Sequence, residues 1–163
     1  ARASCQLLRR TENPPNRIWK PEPWDVARPE DIPQQEDDKM RGDSEKRSIG
    51  GAIGEYCQKR FWVVNRNSLV DDVPLSPFIR AALIADLTNP WANSGEGGIG
   101  FINADVTLYL HRLPVDEWLG LEVVNHQATD GVAIGECHLH DRDGQFGTSS
   151  VTGLAQKYRP EGG

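Results

Sequence analysis

Cysteine is scarce in this chain: Cys5, Cys57 and Cys137 are odd in number, far apart and free of CxxC spacing. That indicates neither a disulfide framework nor a zinc site, and it favours a reducing, cytoplasmic setting. Long apolar runs are missing too. None approaches the roughly 18 residues of a membrane span, and the Arg-rich start has no apolar core of a signal peptide, so no membrane partner is expected. A concentrated basic face is also absent, with 18 Lys and Arg against 24 Asp and Glu and a formal net charge of −6. Nucleic acid is therefore not an expected partner, and any anionic ligand must be held locally. With 163 residues, 37% of them hydrophobic, the chain suits one compact domain plus accessory segments.

Proline is unevenly spread. Pro14, Pro15, Pro21, Pro23, Pro29 and Pro33 accumulate among Glu, Asp and Gln, which forbids regular helix or sheet and predicts an extended linker. Its Ile18, Trp19 and Trp24 are too apolar for a freely solvated tether and predict a segment laid along a folded surface. Ahead of the linker, Ala1 to Arg10 is strand-like, with no capping or turn signal before it, and reads as the last strand of something upstream. The mixed-charge tract from Glu36 to Arg47 reads as solvated loop.

From Ser48 onward, one helix is embedded among strands. A Gly-rich strand around Ile49 to Ile53 and a second, Arg60 to Asn65, precede the helix. Ser76 is placed to cap it and Pro77 fits its first position, where a missing N–H costs nothing. Asn89-Pro90 is expected to end it. The segment Pro77 to Leu87 is apolar around almost its whole circumference, which predicts a helix wrapped by protein. Asp86, at its inner end, is then a carboxylate that must be paired, protonated or working. Arg80, six residues back, cannot be its intrahelical partner.

The loop Ser94 to Gly100 has the composition of a phosphate cradle, but it feeds a strand rather than a helix N-terminus, and the nucleotide reading is weak. In that strand Ile102, Ala104, Val106, Leu108 and Leu110 alternate with Asn103, Asp105, Thr107, Tyr109 and His111, predicting one buried face. Asp105 reads as structural, and His111-Arg112 as a strand-end pair. Three further strands fit Glu117 to Gln127, Gly131 to His140 and Gln145 to Ala155, with Asp141 to Gly144 as a hairpin turn. His138 and His140 share one strand face, but with no third ligand near them in sequence no metal site is assigned. The tally predicts an α+β fold in which a four-strand antiparallel meander wraps one central helix.

Three segments carry a family resemblance. They are Ala85-Asp86-Leu87; Gly98-Ile99-Gly100-Phe101 leading to Asp105, Leu110-His111-Arg112 and Asp116-Glu117-Trp118-Leu119; and Asp141-Arg142-Asp143-Gly144 followed by Thr148-Ser149-Ser150. In order and spacing they resemble the C-terminal half of the acyl-CoA thioesterase II family, whose members fuse two hotdog folds. The resemblance implies residues 1–13 as the terminal strand of an upstream hotdog, 14–47 as linker, 48–158 as the hotdog domain and 159–163 as a tail. It also implies hydrolysis of an acyl-CoA or other acyl-thioester substrate by a water held between a helix Asp, a strand Ser or Thr and a Gln. Asp86 falls on the first position and Asn103 on the second. The Gln position falls on Val151, or on Thr152 if the alignment moves by one, and neither offers an amide. No cofactor is implied. The expected partners are an upstream hotdog half or a second chain, in a homo-oligomer. The alternative reading, motivated by Val151, is a weakened hotdog that binds acyl-thioesters or serves as a structural partner. A hydratase hotdog would carry His where this chain has Trp91.

Overall fold

In the computed structural model of the chain, residues 2–15, 17–40 and 42–156 are described, and the tail expected at 159–163 lies outside the described residues. The elements in chain order are β1 (Ser44–Gly50), β2 (Arg60–Asn65), α1 (Pro77–Asp86), α2 (Thr88–Ala92), a small hairpin of β3 (Ser94–Gly95) and β4 (Gly98–Ile99), then β5 (Phe101–Leu110), β6 (Leu119–Thr129), β7 (Val132–Asp141) and β8 (Gly144–Ala155). Six strands form one antiparallel sheet in the order β1-β2-β6-β7-β8-β5. The sheet curls around α1 and α2, which is the α+β hotdog arrangement. The last four strands are not a simple meander, however. β6, β7 and β8 follow one another, but β5 pairs with β8 and becomes an edge of the sheet. Its predicted buried face is accordingly open: Ile102 and Val106 are exposed, and only Leu108 and Leu110 are half-buried.

The core forms where β2, β6, β7 and β8 face the helices. Phe61, Val63, Leu121, Cys137, Leu139 and Phe146 pack there against Ala81, Ile84, Trp91 and Ala92. Alternation along the strands supplies one apolar residue in two to this face. The helix starts as its sequence predicts, with the Ser76 hydroxyl accepting from Ile79 N at 3.2 Å and Pro77 at the first position. Pro90 does not end the helical path. It is the third residue of α2, where its missing N–H would have had no intrahelical acceptor anyway.

Two parts of the linker reading change. β1 begins at Ser44, inside the tract read as solvated loop, and that tract contains a buried ion pair. Asp38 is fully buried, 3.3 Å from Lys46 Nζ, and accepts from Ser48 Oγ at 2.5 Å and Gln35 N at 3.0 Å. Burial alone would raise the Asp38 carboxyl, but these donors outweigh it and hold it below the ordinary carboxylate range. Lys46 also lies over the Trp91 ring, 5.0 Å from its centre. Opposite charges eight residues apart are thus neutralised across a strand rather than solvated.

Farther upstream, Trp24 docks as expected while Ile18 and Trp19 stay exposed. Trp24 stacks on His140 at 4.2 Å, tilts against Trp62 at 5.0 Å, and covers Gly120, where a Cβ would collide with its ring. Trp62 Nε1 donates to Ala27 O at 3.0 Å. This strap covers the outer face of the sheet and explains why Trp62 is buried although it points away from the helices.

Candidate functional site

Asp86 is the last residue of α1, and α2 begins two residues later. Its predicted burial does not hold within this chain, since its side chain is exposed. Phe78 and Ala82 are exposed with it, eight and four residues earlier, so α1 leaves one stripe open instead of being wrapped all round. The neighbouring residues locate this junction against the edge strand. Ser149 Oγ donates to Ala85 O at 3.3 Å, and Ser149 is the ladder partner of Leu108. Asn89 Nδ2 donates to Phe101 O at 3.0 Å. Asp86 lies in sequence between these two anchors, which tie the junction of α1 and α2 to β8 and β5.

A β-bulge decides which side chains that stretch presents. Asn103 pairs with Gly153 and Asp105 with Thr152, leaving Ala104 as the extra residue. The strict alternation read from the sequence is broken there. Asn103 falls on the helix-facing side with Gly153, Val106 and Val151, whereas Asp105 falls on the outer side with Thr152. Asp105 accepts from Thr152 N at 2.8 Å and from Thr152 Oγ1 at 2.6 Å. These two donors pull the Asp105 carboxyl below its ordinary range. The register thus puts Asn103 and Val151 on the helix-facing side of the sheet and Thr152 on the other. Val151 is fully buried there, with an apolar side chain between Val106 and Gly135 in the ladder.

One polar chain beside this site had no signal in the sequence reading beyond two Asn residues four apart. Asn93 Nδ2 donates to Asn89 Oδ1 at 3.0 Å, and Asn93 Oδ1 meets His126 Nδ1 at 2.8 Å. With the Asn89 bond to Phe101 O, three side chains join α2 to β5 and β6. Gly135 and Gly153 make the close approach possible. A Cβ at Gly135 would come within 2.7 Å of Ala92 Cβ, and one at Gly153 would lie 3.0 Å from Phe101 Cβ. Cys137, next to Thr88 in the core, is no nucleophile: burial pushes its thiol up to about 12.

The Arg112 and Asp141 motif residues form a clamp rather than part of this site. Arg112 donates to both Asp141 oxygens, at 2.5 and 2.7 Å, and to Gly144 O at 3.0 Å. Asp141 also accepts from Val115 N and Asp143 N, both at 2.9 Å. His111, beside Arg112 just past the end of β5, contacts Gln145 O at 2.9 Å. The one group among the described residues with donors spaced for a metal ion, Glu122, His138 and His140, lies on the outer face of the sheet, away from Asp86. Also among the described residues, no helix is long and apolar enough to cross a membrane.

Residues 20–154 match the family described as the acyl-CoA thioesterase C-terminal domain. Among solved structures, an acyl-CoA thioesterase II, TesB2, from Mycobacterium marinum superposes with a TM-score of 0.53 at 21% identity, covering 91% of this chain and 60% of that one. The tesB protein of Mycobacterium avium subspecies paratuberculosis superposes with a TM-score of 0.60 at 18% identity, covering 85% and 56% respectively. The chain spans somewhat over half the length of each of these two proteins. A protein from Syntrophus aciditrophicus SB superposes with a TM-score of 0.52 at 12% identity, with 69% of this chain and 84% of that one covered. At such identities the structural likeness establishes the fold alone. No curated protein matches the sequence.

Proposed function

This chain belongs to the acyl-CoA thioesterase C-terminal domain family, and from that premise we propose that it contributes an acyl-thioester hydrolysis site built on Asp86. The observation that carries the reading is the bulge at Ala104, which turns Asn103 to the same side of the sheet as the Asp86 junction. A carboxylate and an amide on one side can hold one water between an acceptor and a donor. In the reaction, that water's oxygen bonds to the thioester carbonyl carbon while its proton passes to the Asp86 carboxylate. The tetrahedral intermediate then breaks its C–S bond, releasing the carboxylic acid and the thiol of CoA, which recovers a proton. No cofactor is required for this sequence.

Such a site works best when water is excluded around it, and an exposed Asp86 beside an edge strand is not yet in that state. The uncovered edge of β5 and the open stripe Phe78, Ala82 and Asp86 support a second hotdog unit closing over them, either an upstream half or another chain in a homo-oligomer. Free Cys5, Cys57 and Cys137 suit a reducing cytoplasm. Acyl-CoA turnover followed by thiol release tests the proposal. Hydrolysis by the assembled protein that drops at least about a hundredfold in Asp86→Asn supports it; undiminished hydrolysis in that variant removes it. Buried Val151, where an amide would otherwise orient the water, favours one second reading: a hotdog that binds acyl-thioesters with little turnover. Retained acyl-CoA binding without thiol release identifies that case.

A further inference from the structure

On the outer face of the sheet, Glu122 of β6 stands opposite His138 of β7, and His140 follows two residues along the same strand. Glu122 Oε2 is 3.2 Å from His140 Nε2 and 3.7 Å from His138 Nδ1. One ligand atom from each of the three lies within 4.8 Å of the other two. Tetrahedral zinc with bonds of about 2.0–2.2 Å to imidazole nitrogen and carboxylate oxygen spaces its ligands by roughly 3.3 Å. Two of the three separations are therefore close to a zinc edge, the third is within 4.8 Å, and His138 is the most exposed of the three.

The sequence pattern stopped at two histidines on one face; the antiparallel register supplies the third ligand from a strand 16 residues away. A structural hydrogen bond accounts for one His–Glu contact, but not for a second imidazole nitrogen turned toward the same carboxylate oxygen. Arg60 is the ladder neighbour of Glu122 on its other side, yet among the described residues no ion pair joins them, so the carboxylate serves the histidines. The surroundings are asymmetric. The His140 side chain is 4% exposed beneath the Trp24 ring, which holds it in place, while Glu122 at 18% and His138 at 31% leave a way in for an ion.

We propose that Glu122, His138 and His140 bind one zinc ion, leaving a coordination position to water. Two imidazoles and one carboxylate are the donor set zinc accepts, and a calcium or magnesium ion would want more oxygens. The site lies on the opposite face of the sheet from Asp86 and does not depend on the hydrolytic reading. Bound metal would fix His140 under Trp24 and so tie the strap to β6 and β7.

The test uses the full chain with Cys5→Ser and Cys57→Ser, which removes the exposed thiols as competing ligands. Calorimetric titration with zinc is expected to show one saturable equivalent, and cobalt substitution is expected to give the visible bands of a four-coordinate site. His138→Ala and Glu122→Gln should each weaken zinc binding at least about tenfold, whereas His126→Ala, on the helix-facing side of the sheet, should leave it unchanged. Circular dichroism keeps the comparison free of unfolding, since His138 is partly exposed. No saturable binding in the parent chain, or binding unaltered by both His138→Ala and Glu122→Gln while the fold is intact, overturns the proposal.

Discussion

Asp105 on β5 holds Thr152 on β8 twice through one oxygen, accepting from its backbone N–H at 2.8 Å and its hydroxyl at 2.6 Å. These bonds sit immediately beside the bulge at Ala104, and the bulge determines that Asn103 faces the helices. In the proposed site Asp105 would act as a positioning residue, on the opposite face of the sheet from Asn103. Asp105→Ala is expected to lower stability by only about 1 kcal/mol, because the bonds are exposed and water replaces them. It should reduce kcat for acyl-CoA hydrolysis more than it raises KM, since Asn103 loses its fixed orientation while substrate contacts remain. Steady-state thiol-release kinetics beside a thermal melt check both parts; a large Tm drop with unchanged kcat would contradict this assignment.

Val151 makes a second, opposite prediction. Its isopropyl group fills a buried position on the helix side of β8, where the family resemblance calls for an amide. Val151→Gln should therefore increase thiol release, by about tenfold if the amide completes the water's hydrogen bonds. It should also lower stability by roughly 1–3 kcal/mol, because the new amide replaces packed apolar atoms and is incompletely paired. Kinetics and denaturant melts on the same preparation separate the two effects. A variant that melts lower without any gain in turnover would show that the third position is not what limits this site.

Local signals were legible in the sequence where one residue sets its own surroundings. Ser76 caps α1 through its own hydroxyl, Pro77 opens the helix, and the Asp141 to Gly144 turn joins the last two strands. What the pattern could not carry was long-range choice. The alternation from Ile102 to Leu110 runs unbroken, so neither the bulge nor the pairing of β5 with β8 could be read from it. The burial of Asp38 and Lys46 was hidden for a similar reason, because a run of mixed charge reads as solvated until its partners are brought together. Asp86 shows the reverse error. A helix apolar on every side implies a wrapper, but the wrapper on one side is an edge that this chain leaves open.

Trp24 supplies a prediction about the strap. It stacks on His140, touches Trp62 and roofs Gly120, so the segment that carries it is part of the folded unit. Trp24→Ala should cost about 2 kcal/mol through lost apolar burial and should release residues 23–28 from the sheet. Limited proteolysis is expected to cut the variant within this segment while the parent resists. Equal cleavage of both would mean that the strap does not stay docked.

The clamp between Arg112 and Asp141 predicts the acid limb of stability. Burial works to raise the Asp141 carboxyl, but the Arg112 guanidinium and the Val115 and Asp143 N–H groups outweigh it, and the folded value lies below the ordinary 3.8. Asp38 is shifted in the same direction. A depressed folded value means that the unfolded chain takes up protons first as pH falls. The stabilisation is therefore fully present above about pH 5 and is lost progressively below about pH 4. Tm should be insensitive to these two groups between pH 7 and 5, to the extent of about 1 °C, and should fall steeply in the more acidic range. Asp141→Asn removes one of the two contributions. It should lower stability near neutral pH by roughly 3 kcal/mol, because Arg112 loses its partner in a partly buried site, and it should flatten the acid limb. Melting curves taken across that pH range on both proteins decide the matter: an acid slope identical in parent and variant would mean that Asp141 titrates normally and that the clamp contributes nothing to acid sensitivity.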